Sequence, residues 1–64
     1  MDVKANVEQY MRERKYECFF YKKLCAILKV SFEVMLETLR ALEKEGKVLR
    51  YKSKSGEVKW YIAR

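Results

Sequence analysis

Leu24-Cys25-Ala26-Ile27-Leu28-Lys29-Val30-Ser31, followed by Met35, Leu39, Leu42 and Gly46, is the stretch that decides the fold. It reads as two short helices around a tight turn. The first sets Leu24, Cys25 and Leu28 on one face. Lys29 and Val30 make the turn. Ser31 then stands where its hydroxyl can accept from a backbone N–H that has no partner inside the second helix. Met35, Leu39 and Leu42 recur at helical spacing until Gly46, a residue suited to left-handed backbone just past a helix end. Two apolar faces this close in sequence are buried together only if the helices cross, which makes the pair a helix-turn-helix.

Upstream, Val3, Val7, Tyr10, Met11 and Arg14 fall at helical spacing behind Asp2, an N-cap residue, so a helix is expected over 3–14. Tyr16 to Phe20 is aromatic and non-periodic and reads as a short extended segment. The pair of helices spans 21–28 and 32–45. Beyond Gly46 the pattern changes to Val48-Leu49-Arg50-Tyr51-Lys52, a Ser53-Lys54-Ser55-Gly56 turn, and Glu57-Val58-Lys59-Trp60-Tyr61-Ile62. β-branched and aromatic residues on either side of a Ser/Gly turn make a hairpin. The expected fold class is α+β, three helices and a terminal hairpin in a single domain over 1–64.

With 64 residues there is room for one modest core, and the hydrophobic half of the chain, with nine aromatics (one Trp, five Tyr, three Phe), is enough to build it. No apolar run approaches the roughly 18 residues of a membrane span, and Met1-Asp2-Val3-Lys4 does not open a secretory signal, so a cytoplasmic protein is expected. Cys18 and Cys25 lack C-x-x-C spacing and no histidine accompanies them, so no zinc site is expected. They read as buried or half-buried free thiols, unless an oxidising or hyperthermophilic setting pairs them. One Asn, one Gln, no His and many Lys and Glu lean towards a thermophile. Nothing argues for catalysis or a cofactor. There is no histidine and no Gly-rich phosphate loop, and Glu33 and Glu37 are helix neighbours without a cleft to tune them.

The net charge of +6 suits a polyanionic partner, and its distribution says more. Residues 1–30 carry seven Lys/Arg against four Asp/Glu (+3), residues 31–46 two against four (−2), and residues 47–64 six against one (+5). The second helix of the pair is acidic. The hairpin is basic.

In order and spacing the chain resembles the winged-helix superfamily, a helix-turn-helix followed by a hairpin wing. The residues that carry the likeness are Leu24-Cys25-x-x-Leu28-x-Val30-Ser31, Met35-x-x-x-Leu39-x-x-Leu42-x-x-x-Gly46-x-Val48 and Trp60-Tyr61-Ile62. That resemblance implies a small DNA-binding regulator, but the same fold also serves Z-form nucleic-acid binders and modules that bind only protein. Trp60-x-Ile62 is similar to the wing end of Z-DNA-binding domains. However, Leu36 and Arg40 stand where that family's recognition Asn and Tyr would fall, and its wing prolines are missing. Val48-Leu49-Arg50-Tyr51 with the aromatic return strand also looks like the small D protein of dissimilatory sulfite reduction, which would imply a partner of a redox enzyme.

In winged-helix docking the start of helix 3 enters the major groove. With Met35, Leu39 and Leu42 inward, Glu33, Glu37, Arg40 and Lys44 turn outward, and Leu36 lies at the flank. Acids near phosphate are repelled, so this helix is a poor reader of bases. Acids at its start and bases at its end equally suit the helix dipole. The wing is the better DNA site. Alternation is expected to set Arg50 and Lys52 with Lys59 and Tyr61 on one outward basic stripe, Lys54 at the turn, and Val58, Trp60 and Ile62 towards the helices. Such a stripe either displaces counterions from double-stranded DNA or guards an edge hairpin against aggregation. Lys22, Lys23, Arg40 and Lys44 are auxiliary phosphate contacts. Arg12, Arg14, Lys15 and Lys29 extend the footprint or form solvated faces. Trp60, Tyr51 and Tyr10 are expected in the core. Phe32, Val34 and Leu36 exceed what the core can cover. Phe32, Leu36, Glu33 and Glu37 therefore define the alternative, a homodimer or protein-partner surface of an interaction module or accessory subunit.

Overall fold

Asp2 starts the first helix as its spacing requires. Its carboxylate accepts from the backbone N–H groups of Lys4 at 3.1 Å and Ala5 at 3.4 Å, in a computed structural model that describes residues 2–63. Helix α1 runs Val3–Glu13 and buries Val7 and Met11, one turn apart. Tyr10 leans on Phe19 with ring centroids 5.6 Å apart, which ties the helix to the extended segment after it.

Helices α2, Tyr21–Leu28, and α3, Phe32–Lys44, form the crossing pair and bury Leu24, Cys25, Met35, Leu39 and Leu42 between and beneath them. Ser31 caps α3, its Oγ accepting from the N–H of Val34 at 3.3 Å. Thr38, buried on the same helix, donates its hydroxyl to the Val34 carbonyl at 2.8 Å, so its burial leaves no polar atom unmatched. Gly46, at φ +78°, ends α3. The N–H groups of Gly46 and Lys47 donate to the carbonyls of Glu43 and Leu42 at 3.0 and 2.9 Å, closing a Schellman motif.

The turn inside the pair is closed differently. Lys29 takes left-handed backbone, φ 54° and ψ 49°, so that the Val30 N–H can reach the Cys25 carbonyl at 3.1 Å. An L-residue with a Cβ is strained there by roughly 1–2 kcal/mol, and glycine is not. Lys29→Gly is therefore expected to raise stability by about 0.5–1 kcal/mol, a gain of a few degrees in a thermal melt.

Strands β1, Val48–Lys52, and β2, Val58–Ile62, pair antiparallel. Ser53 organises the turn between them: its N–H donates to Glu57 at 2.7 Å, and its Oγ accepts from the Glu57 N–H at 3.2 Å. Phe19 adds one residue of a third strand, exchanging backbone hydrogen bonds of 2.8 and 2.7 Å with Trp60. The expected extended segment thus becomes the inner edge of the sheet. Val48, Trp60, Ile62 and Phe19 close the core against the helices. The result is α+β, with the three helices and hairpin of a winged helix. Among the described residues no helix is long and apolar enough to cross a membrane.

An ion-pair cluster binds α1 to the far end of α3 and the start of β1. Lys4 meets Glu45, Lys47 lies 3.5 Å from Glu8 and 3.4 Å from Glu45, and Glu8 holds Arg12 at 2.5 Å. The hydrogen bond from Arg12 lowers the Glu8 carboxyl below its ordinary value, and that from Lys4 lowers Glu45; the bond to Glu45 raises Lys47. Cys25 is buried, which raises its thiol, whereas Cys18 is exposed rather than buried or half-buried as expected. Cys18 precedes the bridge residue Phe19, on the opposite parity.

Candidate nucleic-acid interface

The register of the hairpin separates the residues that were expected together. Val48 pairs with Ile62, Arg50 with Trp60 and Lys52 with Val58, while Leu49 pairs with Tyr61 and Tyr51 with Lys59. Directly paired residues share a face. Arg50 and Lys52 therefore lie on the core-facing side, and Lys59 and Tyr61 lie on the other with Leu49 and Tyr51. The single outward stripe of Arg50, Lys52, Lys59 and Tyr61 does not form. Val48 is the reason. It is fully buried, and alternation then commits positions 50 and 52 to the same side. The wing runs past the helices after Val48, so the rest of β1 stays exposed on both faces and charged residues are tolerated there.

Arg50 is held by its own fold. Its guanidinium carbon stands 5.5 Å from the centre of the Trp60 ring, and its Nε lies 3.5 Å from the Glu43 carboxylate. These contacts lash the wing to the end of α3. A half-exposed ion pair and a cation–π contact each contribute about 0.5–1 kcal/mol. Arg50→Ala is expected to cost about 1 kcal/mol in a urea melt, and to leave any salt dependence of nucleic-acid binding unchanged.

A basic flank does assemble, around the start of α2 and the wing. Tyr21 meets Phe32, the first residue of α3, edge-on with centroids 5.7 Å apart, and Lys22 Nζ lies 6.0 Å from the centre of the Phe32 ring. Phe20, Tyr21, Lys22 and Lys23 face Glu57 and Val58 across a groove of about 510 Å³. Lys59 Nζ stands 4.9 Å over Phe20. Lys54 occupies the turn and Lys52 the last position of β1. Helix α2 begins on Phe20, which supplies no side-chain cap, so the positive end of its dipole opens onto this flank.

Ion pairing occupies some of the cations. Lys4, Arg12, Arg14, Lys47 and Arg50 all have carboxylate partners. Among the described residues Lys22, Lys23, Lys52, Lys54 and Lys59 have none within 4.0 Å, and neither do Lys15, Lys29, Arg40 and Lys44, which lie apart from this flank. Glu57, the acid beside them, accepts from the Ser55 hydroxyl at 3.3 Å.

The outer stripe of α3 is as its periodicity predicts: Glu33, Glu37, Arg40 and Lys44 are all exposed. Phe32 is 53% exposed and Val34 is also exposed, but Leu36 is half-buried, so the apolar cluster at the start of α3 is narrower than expected. Trp60 is in the core and Tyr10 half-buried against it. Tyr51, expected there too, is 41% exposed. Its parity with Leu49, opposite to buried Val48, is the signal in the sequence that would have placed it. Phe20 and Tyr21 carried no such signal, because their roles arise only where α2 meets the wing.

No protein-family model matches the chain, and no curated protein is similar to it. Among solved structures it is similar to the ST1889 protein from the thermoacidophilic archaeon Sulfolobus tokodaii, with a TM-score of 0.86 and 24% identity over 98% of this chain. The match spans 61% of that longer chain, and at this identity the likeness is one of fold.

Proposed function

We propose that this chain is a winged-helix module that grips the phosphate backbone of double-stranded DNA through Lys22, Lys23, Lys52, Lys54 and Lys59. The observation that supports the reading is that the start of α2 and the wing gather five lysines with no carboxylate within 4.0 Å among the described residues, whereas Lys4, Arg12 and Lys47 around α1 are paired. A lysine with no carboxylate partner can neutralise a phosphate, and each counterion it releases from the DNA steepens the salt dependence. The uncapped start of α2 adds backbone N–H groups of the kind that receive phosphate at helix N-termini. Arg40 and Lys44 on α3 are outlying contacts.

The acidic start of α3 sets the character of the binding. Glu33 and Glu37 occupy the positions from which a recognition helix reads base edges, so affinity comes from backbone contacts and varies little with sequence. A regulatory role would need specificity supplied by a second copy or a partner.

Fluorescence-anisotropy titration of a labelled mixed-sequence duplex tests this. With four or more phosphate contacts, affinity falls about a hundredfold between 50 and 200 mM salt, and two unrelated sequences bind alike. Affinity that does not change with salt would remove the phosphate grip.

A further inference from the structure

The hairpin register that breaks up the basic stripe also creates a surface of a different kind. On the outer face of the sheet, Tyr51 stands directly opposite Lys59, and Leu49 opposite Tyr61. The antiparallel Phe19 to Trp60 bridge carries Phe20 to the other side of Lys59, where the ammonium lies 4.9 Å above its ring. One row therefore reads Phe20, Lys59, Tyr51 across the sheet, with Tyr61 behind it, its ring tilted 61° to that of Tyr51 at 6.0 Å. Leu49 and Tyr51 are 42% and 41% exposed, and Phe20 is exposed as well. Glu57 is the one acid of the hairpin and lies at the turn end of this face, opposite Ser53, where its carboxylate accepts from Ser55. Lys59 has no carboxylate within 4.0 Å among the described residues.

We infer that this face is a stacking platform for the unpaired bases of a single-stranded nucleic acid. Aromatic rings on a flat sheet accept any base by its π-face, and a lysine between them meets the linking phosphate. Phe20 and Tyr51 are two strand spacings apart, about 10 Å, which leaves a place for one base on either side of Lys59. Charge selects the occupant. A second copy docked face to face about a twofold axis would bring two hairpins together, each carrying Lys52, Lys54 and Lys59 against the single acid Glu57. A polyanion with aromatic bases matches both features at once.

This surface is separate from the phosphate grip, sharing only Lys59, so the two readings can fail independently. The test is anisotropy titration of labelled dT12 and of a 12-base-pair duplex with the wild-type chain, Tyr51→Ala, Tyr51→Phe, and Phe20→Leu. The fold of each variant is checked by its circular-dichroism melt. The expected result is that Tyr51→Ala weakens dT12 about tenfold and changes duplex affinity less than twofold. Tyr51→Phe restores dT12 binding, and Phe20→Leu also weakens it. Equal dT12 affinity for the wild type and a folded Tyr51→Ala would overturn the platform, as would duplex binding without measurable dT12 binding. So would a concentration-dependent dimer, seen by sedimentation, that Tyr51→Ala dissolves.

Discussion

Alanine at Lys22, Lys23, Lys52 and Lys54 together is expected to weaken duplex binding about a hundredfold at 0.1 M salt and to reduce the log–log salt slope by about 3–4. Each phosphate contact contributes close to 0.9 to that slope, and four contacts are removed. The effect should be the same for unrelated sequences, because none of these side chains is placed to read a base. All four are exposed and none has an acid partner, so the fold should tolerate the change. A matched control is Lys4→Ala with Arg12→Ala. Both are already paired with carboxylates on the α1 side, and their loss should leave the slope unaltered. If the two sets of substitutions reduce the slope equally, bulk charge rather than the wing flank governs binding, and the proposed geometry fails.

Trp60→Ala is the substitution expected to damage the fold most. Trp60 is only 2% exposed, sits in the middle of β2, and bonds to Phe19 on one side while pairing with Arg50 on the other. Its backbone bonds survive substitution, so the loss is the ring: buried area, the contact with Arg50, and the void left behind. Truncating a buried aromatic costs about 3–5 kcal/mol. A domain of 64 residues holds only about 3–10 kcal/mol in total. The melting temperature should fall by more than about 12 °C, or the cooperative transition should vanish at room temperature. Leu49→Ala, on the outer face one residue from Arg50, should cost under about 1 kcal/mol. Comparable losses at both positions would mean that the two faces of the hairpin are not distinguished as the register requires.

The helices were legible in the chain because their signals are local. A capping Ser31, apolar residues at Met35, Leu39 and Leu42, and a terminal Gly46 each act within a few residues, and each performs that task in the structure. The strand limits were legible for the same reason. The faces of β1 were misjudged because its charges invited an outward placement, although Val48 shares parity with Arg50 and Lys52. Burial of one residue outweighs the exposure preference of two, since the strand leaves the helices behind after Val48 and the lysine and arginine reach water from either face.

By itself the sequence determined the element order, the caps, the helical core and the positive charge of the hairpin, all of which follow from periodicity and composition. Only the tertiary structure decided which charges remain available and which rings are exposed. Carboxylates distant in sequence, Glu45 for Lys4 and Glu8 for Lys47, neutralise one end of the molecule. The docking of α2 against the wing gathers Phe20, Lys22, Lys23 and Val58. Pairing across long sequence separations is set by packing geometry, which local spacing does not encode, and it is this pairing that separates a bare basic flank from an aromatic face.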